Sequence, residues 1–252
     1  MDKTEANLRK EKDFVSLKKN TMQEFNENDK MLHLVQTNHN LLPVIHRFGI
    51  RLGFGNRKVG ELCSEYQVNT AFFLAIVNTF HHKHSFPEER LLSFSPLLIV
   101  DYLRKTHDYY IHSSLPQIEV LIHRLLQSTP VQNSEMKMIG TFYLAYKKKL
   151  LKHIEEEEKV VFPYVEKLVL QPETVEDRSF DINFEKEHEH VDLELDDLKN
   201  LILKYMVPEY DALVCNKLMD EIYSFEKDIR EHSRMEDVIL IPQVVHLLKT
   251  AK

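Results

Sequence analysis

Two segments of this chain repeat each other. HIEEEEKVVFP begins at His153 and HSRMEDVILIP begins at His232, 79 residues later, and each has Glu four residues after its His and Pro ten residues after it. Residues i and i+4 lie on one face of a helix, so each His can point in the same direction as its partner, Glu157 or Glu236. The repeat therefore favours a helical assembly built from two related halves.

The composition agrees with long helices. The 252 residues include only five Gly and nine Pro, too few for the many tight turns of an all-β sandwich or barrel. Apolar residues recur at helical spacing in four stretches separated by short polar breaks, at about 95–126, 134–170, 180–205 and 208–249. The pattern predicts an all-α fold, an antiparallel up-down four-helix bundle over residues 95–249. Pro163 and Pro242 predict that two of these helices bend or end.

The part of the chain before the bundle has a different character. Residues 1–28 are rich in Lys, Glu and Asn and are expected to form a flexible leader. Four of the five glycines fall within 49–60, which is typical of short helices around a tight turn. We therefore expect a small helical N-terminal domain over 29–86, joined to the bundle by the polar stretch HHKHSFPEER.

Two further histidines extend the repeat. His107 lies 46 residues before His153, and His188 lies 44 residues before His232. Each predicted hairpin thus offers one His on its first helix and a His-x-x-x-Glu pair on its second. A pseudo-two-fold axis would bring four imidazoles and two carboxylates into one apolar core.

Such a core needs cations, because opposed buried carboxylates are costly when uncompensated. Two divalent metal ions bridged by both carboxylates would meet that need. Mixed imidazole and carboxylate ligands suit iron best, with manganese and zinc behind it. Six protein ligands cannot fill two octahedral spheres, so open positions remain for a small ligand.

Four motifs in order carry a family resemblance: THDYY, HIEEEEKVVFP, EKEHEH and HSRMEDVILIP. Residues 96–249 resemble a hemerythrin-like HHE cation-binding domain, and in particular the di-iron family called repair of iron centres. The resemblance implies two iron ions as cofactor, with Glu157 and Glu236 as bridges and these metal ligands: His107, His153, Glu157, His188, His232 and Glu236. Residues 31–80 are similar to the short N-terminal domain of that family, but the turn IRLGFGNRK lacks its Cys-Cys motif.

The function that follows from this resemblance is a non-haem di-iron protein of nitrosative or oxidative stress. It would bind or reduce a small diatomic or peroxide ligand (nitric oxide, oxygen or peroxide) and serve the repair of iron-sulfur centres, with iron-sulfur proteins as partners. The alternatives are a sensor of oxygen or nitric oxide, and a metal-binding bundle without turnover, so enzyme activity stays open. Tyr110, three residues after His107, is either a core residue or a hydrogen-bond donor to the ligand.

Other features narrow the partners and the location. Residues 1–95 carry 13 Lys and Arg against 11 Asp and Glu, leaving 20 against 29 for the rest, so no basic excess predicts nucleic-acid binding. VGELCSEYQVNTAFFLAIV has the outline of a helix-turn-helix, but its apolar second helix favours packing, against the bundle or in a homodimer. Two distant cysteines, no signal peptide and no apolar span predict a cytoplasmic protein without a membrane partner.

Overall fold

The computed structural model describes residues 24–82, 86–128, 134–175, 184–206 and 210–250. Within these ranges, the side chains of 134–136 and 184–193 are not described, so the imidazole of His188 lies outside the description. The predicted leader falls mostly in 1–23, and the predicted start of the third bundle helix at 180 also lies outside the described residues. The chain divides into two compact units, Met1–Pro87 and Glu88–Lys252. No helix among the described residues is long and apolar enough to cross a membrane.

The first unit is a set of short helices. They are α1 (Met31–Thr37), α2 (Leu42–Arg47), α3 (Val59–Glu65) and α4 (Thr70–His81). The turn between α2 and α3 passes through Gly53 and Gly55, whose φ angles of 97° and 59° are ones that side chains rarely tolerate. Every residue of α4 from Phe72 to Phe80 is buried, so this helix packs rather than presenting a surface to DNA.

The second unit is helical throughout its described part, and the all-α fold class is confirmed. Its elements are α5 (Glu88–Leu92), α6 (Pro96–Tyr109), α7 (Leu115–Gln127), α8 (Ser134–Glu156), α9 (Phe162–Leu170), α10 (Phe184–Tyr205), α11 (Ala212–Met235) and α12 (Ile241–Thr250). The helix α11 begins at Ala212 rather than near Pro208, because the Asp211 carboxylate caps it by accepting from the backbone of Leu213 and Val214.

A short π-helical turn joins each of three helix pairs. The turns are Tyr110–Ser114 between α6 and α7, Glu157–Val161 between α8 and α9, and Glu236–Leu240 between α11 and α12. In each, the backbone N–H of the residue after the turn bonds the carbonyl five residues back. The helices therefore continue instead of ending, and the bundle has four long helices, of which α10 is the third.

A proline follows each π turn by two residues, at Pro116, Pro163 and Pro242. Proline has no N–H to donate and its ring clashes with the carbonyl four residues back in a regular α-helix. A π turn just before it adds one residue to the turn, and such turns occur often at functional sites. The prolines thus mark the places where the helices change register.

The buried apolar residues follow the repeat. On the first helix of each hairpin, Leu115, Ile118 and Ile122 correspond to Leu195, Leu198 and Ile202, 80 residues later, and all six are buried. On the second helices, Leu150 corresponds to Ile229, 79 residues later, and both are buried. The two hairpins, α6–α9 and α10–α12, therefore present matching faces to one core.

Candidate metal centre

Four of the predicted ligands lie together inside the bundle. His107, Glu157, His232 and Glu236 each offer one donor atom, and these atoms lie within 4.8 Å of one another. All four residues are buried. His107 comes from α6 and His232 from α11, whereas each Glu opens a π turn. Groups 125 residues apart in the chain thus converge on one point.

The imidazoles face the carboxylates through their Nε2 atoms. His107 Nε2 lies 3.2 Å from Glu157 Oε2, and His153 Nε2 lies 3.0 Å from Glu157 Oε1. His232 Nε2 lies 3.3 Å from Glu236 Oε1 and 3.0 Å from His107 Nε2. Glu157 therefore divides its two oxygens between two imidazoles, which is the arrangement of a carboxylate able to bridge two metal ions.

The structure thus brings five of the six predicted ligands into one connected group. His153 joins the other four through Glu157, as its spacing of four residues predicts. The side chain of His188 lies outside the described residues, although its backbone belongs to α10. His112 is exposed and contacts its own helix at Asp108.

Two polar residues that the sequence analysis did not single out complete the surroundings of His107. Its Nδ1 lies 2.8 Å from Glu158 Oε1, and the other oxygen of Glu158 accepts from Arg104 Nε at 3.2 Å. Arg104 also binds Glu166 through both terminal nitrogens. In a run of four glutamates, Glu158 reads as an exposed residue. The signal for its position is the proline five residues later, which marks the π turn.

Electrostatics in this metal-free cluster favour a positive charge at His107. Burial disfavours the charged imidazole, but hydrogen bonds to Glu157 and Glu158 more than offset it and raise the pKa of His107 to about 9. Burial also opposes ionisation of Glu158, yet His107 and Arg104 hold its pKa below the usual value. Two buried carboxylates thus draw a proton onto an imidazole in the absence of any other cation.

The donor set fits a divalent metal ion. A cation between the carboxylates would supply the positive charge that the proton on His107 supplies without it. The Nδ1 atom of His232 is buried and makes no hydrogen bond within the described part of the chain, so only its Nε2 is engaged, and that atom faces the cluster. Imidazole nitrogens and carboxylate oxygens are ligands of iron, manganese and zinc.

A small cavity lies against the cluster. Its polar lining includes His107, His153, Glu157 and His232, and the rest comes from Tyr110, Leu150, Ile154, Ile229 and Ser233. The Tyr110 ring stands edge-on to the His232 ring, with centroids 5.7 Å apart. A small molecule beside the donors would therefore meet mainly apolar walls and one phenol.

Comparison with known proteins agrees with this geometry. No curated protein matches the chain significantly. The family model for the hemerythrin HHE cation-binding domain matches residues 98–244, which is more than half of the 252 residues. The matched range contains the whole donor cluster, and domains of this family bind metal, usually iron. The chain therefore belongs to the hemerythrin HHE cation-binding domain family.

Proposed function

We propose that the bundle holds two iron ions and binds or reduces a small oxidant such as nitric oxide, oxygen or peroxide. The observation that carries this proposal is the geometry of Glu157, whose two oxygens face the Nε2 atoms of His107 and His153. Glu236 faces the same point from the other hairpin. Two carboxylates opposed in this way support a pair of ions better than a single one.

In this proposal, the two glutamates are the bridges and the four histidines are terminal ligands: His107, His153, His188 and His232. When bound, an iron pair supplies open coordination positions and accessible redox states for a small oxidant. Manganese and zinc would find the same donors, but zinc has no redox chemistry to offer.

The residues around the donors suit a small uncharged ligand. Leu150, Ile154 and Ile229 form apolar walls that keep bulk water from the donors. The Tyr110 hydroxyl is the one phenol in the lining and can donate a hydrogen bond to a ligand in the cavity. The cavity is small and mostly apolar, so we expect it to favour diatomic ligands and peroxide over organic substrates.

Binding without turnover is the second candidate, and the cysteines favour it. Cys63 is fully buried, and burial raises the pKa of its thiol to about 11. Cys215 is also buried with a raised pKa. Neither thiol is suited to hand over iron or react with nitric oxide at neutral pH. A sensor that forms a stable adduct would need no such thiol.

Metal analysis with spectroscopy tests the proposal. Protein produced with iron should contain about two irons per chain and show the near-ultraviolet absorption of a bridged ferric pair. Zinc, or less than one metal ion per chain, would overturn the di-iron assignment. Stopped-flow mixing with nitric oxide or peroxide then separates the two candidates, because repeated turnover supports reduction and a stable adduct supports sensing.

The cellular role is proposed from the family resemblance. We propose that the protein acts in the cytoplasm under nitrosative or oxidative stress, with damaged iron-sulfur proteins as partners. Reactivation of a damaged iron-sulfur enzyme by the iron-loaded protein, compared with free ferrous iron at the same concentration, tests this role. Equal reactivation by both would contradict a specific repair function.

A further inference from the structure

We propose that Glu158, held by Arg104, positions the His107 imidazole for metal binding. The proposal rests on the proposed metal centre and adds two residues to it, neither of which is a ligand. Arg104 and Glu158 come from different helices of the first hairpin, so the pair also ties the π turn of Glu157–Val161 to α6.

The contact between Glu158 and His107 decides which imidazole nitrogen faces the cluster. A neutral imidazole carries one N–H, and a carboxylate can only accept. With Glu158 Oε1 at 2.8 Å, Nδ1 is the donor and Nε2 keeps its lone pair for the metal ion. Nε2 is the atom that lies nearest Glu157 and His232. Carboxylate partners of this kind also raise the basicity of a ligating imidazole.

Arg104 is what holds Glu158 in place. The Glu158 side chain is 32% exposed and would otherwise sample several rotamers in water. Arg104 Nε binds Glu158 Oε2 at 3.2 Å, and its terminal nitrogens bind both oxygens of Glu166 on α9. Two carboxylates thus fix the guanidinium at both sides, which a lysine could not reproduce.

Aromatic packing closes the remaining freedom of the imidazole. The Phe162 ring stacks on His107 with centroids 5.5 Å apart and planes 14° apart. The guanidinium of Arg104 lies 5.6 Å from the centroid of the same Phe162 ring. His107 is therefore held at Nδ1 by Glu158 and along one face by Phe162.

The π turn makes this arrangement possible. Glu157 and Glu158 are consecutive, yet one approaches Nε2 of His107 and the other approaches Nδ1. In a regular α-helix, neighbouring side chains point 100° apart and the second would face more toward solvent. The wider turn over Glu157–Val161 lets both carboxylates reach one ring.

The test uses Glu158→Gln, Glu158→Leu and Arg104→Gln, with Glu155→Gln as matched control. Glu155 lies on α8 three residues from Glu158, and its only described ion pair is the exposed one with Lys159. Metal affinity is measured with Co²⁺ and a competing chelator. The Nδ1 proton of His107 is followed by long-range ¹H–¹⁵N NMR on the Zn²⁺-loaded protein. Circular dichroism verifies folding.

We expect Glu158→Leu to bind Co²⁺ about 10- to 100-fold more weakly than wild type. The His107 Nδ1 proton signal should shift or exchange away in this variant. Glu158→Gln keeps an acceptor oxygen and should recover part of the affinity, whereas Arg104→Gln should give an intermediate loss. Glu155→Gln should leave both readouts unchanged.

Two results would overturn the proposal in distinguishable ways. If wild-type protein binds Co²⁺ and Glu158→Leu binds it within twofold of the Glu155→Gln control, the positioning role is wrong while the metal centre stands. If the wild-type protein binds no metal ion, the proposed metal centre falls and the positioning role falls with it. Should Glu158→Leu fail to fold, Arg104→Gln carries the same comparison from α6.

Discussion

The two hairpins of the bundle share a pattern of apolar residues and ligands, but they differ in the polar contacts between their helices. In the first hairpin, Lys147 on α8 binds Glu119 on α7 at 2.6 Å. In the second, Glu226 on α11 binds Lys199 on α10. Lys147 and Glu226 are 79 residues apart, and Glu119 and Lys199 are 80 apart, so the two pairs occupy equivalent positions with their charges exchanged.

The equivalent pairs also differ in burial. The side chains of Lys147 and Glu119 are 27% and 43% exposed, whereas those of Lys199 and Glu226 are 10% and 6% exposed. Burial alone would lower the pKa of Lys199, but hydrogen bonds to Asp196 and Glu226 raise it. Arg230 binds the second oxygen of Glu226 at 2.6 Å. The second hairpin therefore contains a buried charge network where the first has a partly exposed ion pair.

A second difference concerns the support of the first histidine in each hairpin. In the first hairpin, Glu158 and Arg104 hold His107. By the same offsets, the positions of these residues are taken in the second hairpin by Asp237 and Glu185, so the arginine is replaced by an acid. The repeat thus constrains the apolar core and the ligands, whereas the polar residues that surround the ligands have diverged.

The largest expected effect comes from removing one ligand pair from either hairpin. His153→Ala with Glu157→Ala, and separately His232→Ala with Glu236→Ala, each delete one imidazole and one carboxylate that face the cluster. We expect each double variant to lose one or both metal ions, measured by elemental analysis after iron loading. Loss from only one variant would show that the hairpins do not contribute equally. An unchanged metal count in both would refute the site assignment.

Metal removal should destabilise the bundle. A ligand that binds only the folded state stabilises it by about 4 kcal/mol when its free concentration is 1,000 times its dissociation constant. Such a loss corresponds to roughly 10 °C in the melting temperature of a bundle of this size. Calorimetry before and after chelation measures the shift. The double variant His153→Ala with Glu157→Ala should show no further shift on chelation, and an equal shift there would place the stabilising ion elsewhere.

The charge pairs test the difference in burial between the hairpins. Glu226→Leu leaves Lys199 buried with only Asp196 as a partner, so we expect a loss of about 3 kcal/mol in the free energy of unfolding. Lys147→Met leaves Glu119 partly exposed to water, and we expect a loss below about 1 kcal/mol. Urea unfolding of the metal-free variants compares the two. Equal losses would show that the burial of the second pair has no energetic consequence.

Helical periodicity and the repeat were enough to predict the bundle and most of the site. The spacing of His153 and Glu157 placed both on one face, and the structure has them 3.0 Å apart. Apolar residues at helical spacing also predicted the four long helices. These features were predictable because each depends on local geometry that the α-helix fixes.

The surroundings of the site were not predictable in the same way. Glu158 lies in a run of charged residues and faces His107 only because a π turn changes the register of the helix. Lys199 and Glu226 look like surface residues in the sequence, and only their mutual contact allows both to be buried. The prolines at 116, 163 and 242 are the one local signal of the register changes, and their common meaning depends on seeing all three.

The smallest expected effect concerns a difference between the hairpins inside the cavity. Tyr110 lines the cavity from the first hairpin, and the residue 81 positions later in the second is Val191. If the Tyr110 hydroxyl donates to a bound ligand, Tyr110→Phe should weaken azide binding to the iron-loaded protein by about fivefold, equivalent to about 1 kcal/mol, with metal content unchanged. Tyr143→Phe is the matched control, because the Tyr143 hydroxyl donates to the Leu115 carbonyl at 2.7 Å and Tyr143 does not line the cavity. Spectroscopic titration with azide compares the variants, and equal affinities for wild type and Tyr110→Phe would assign Tyr110 to the core alone.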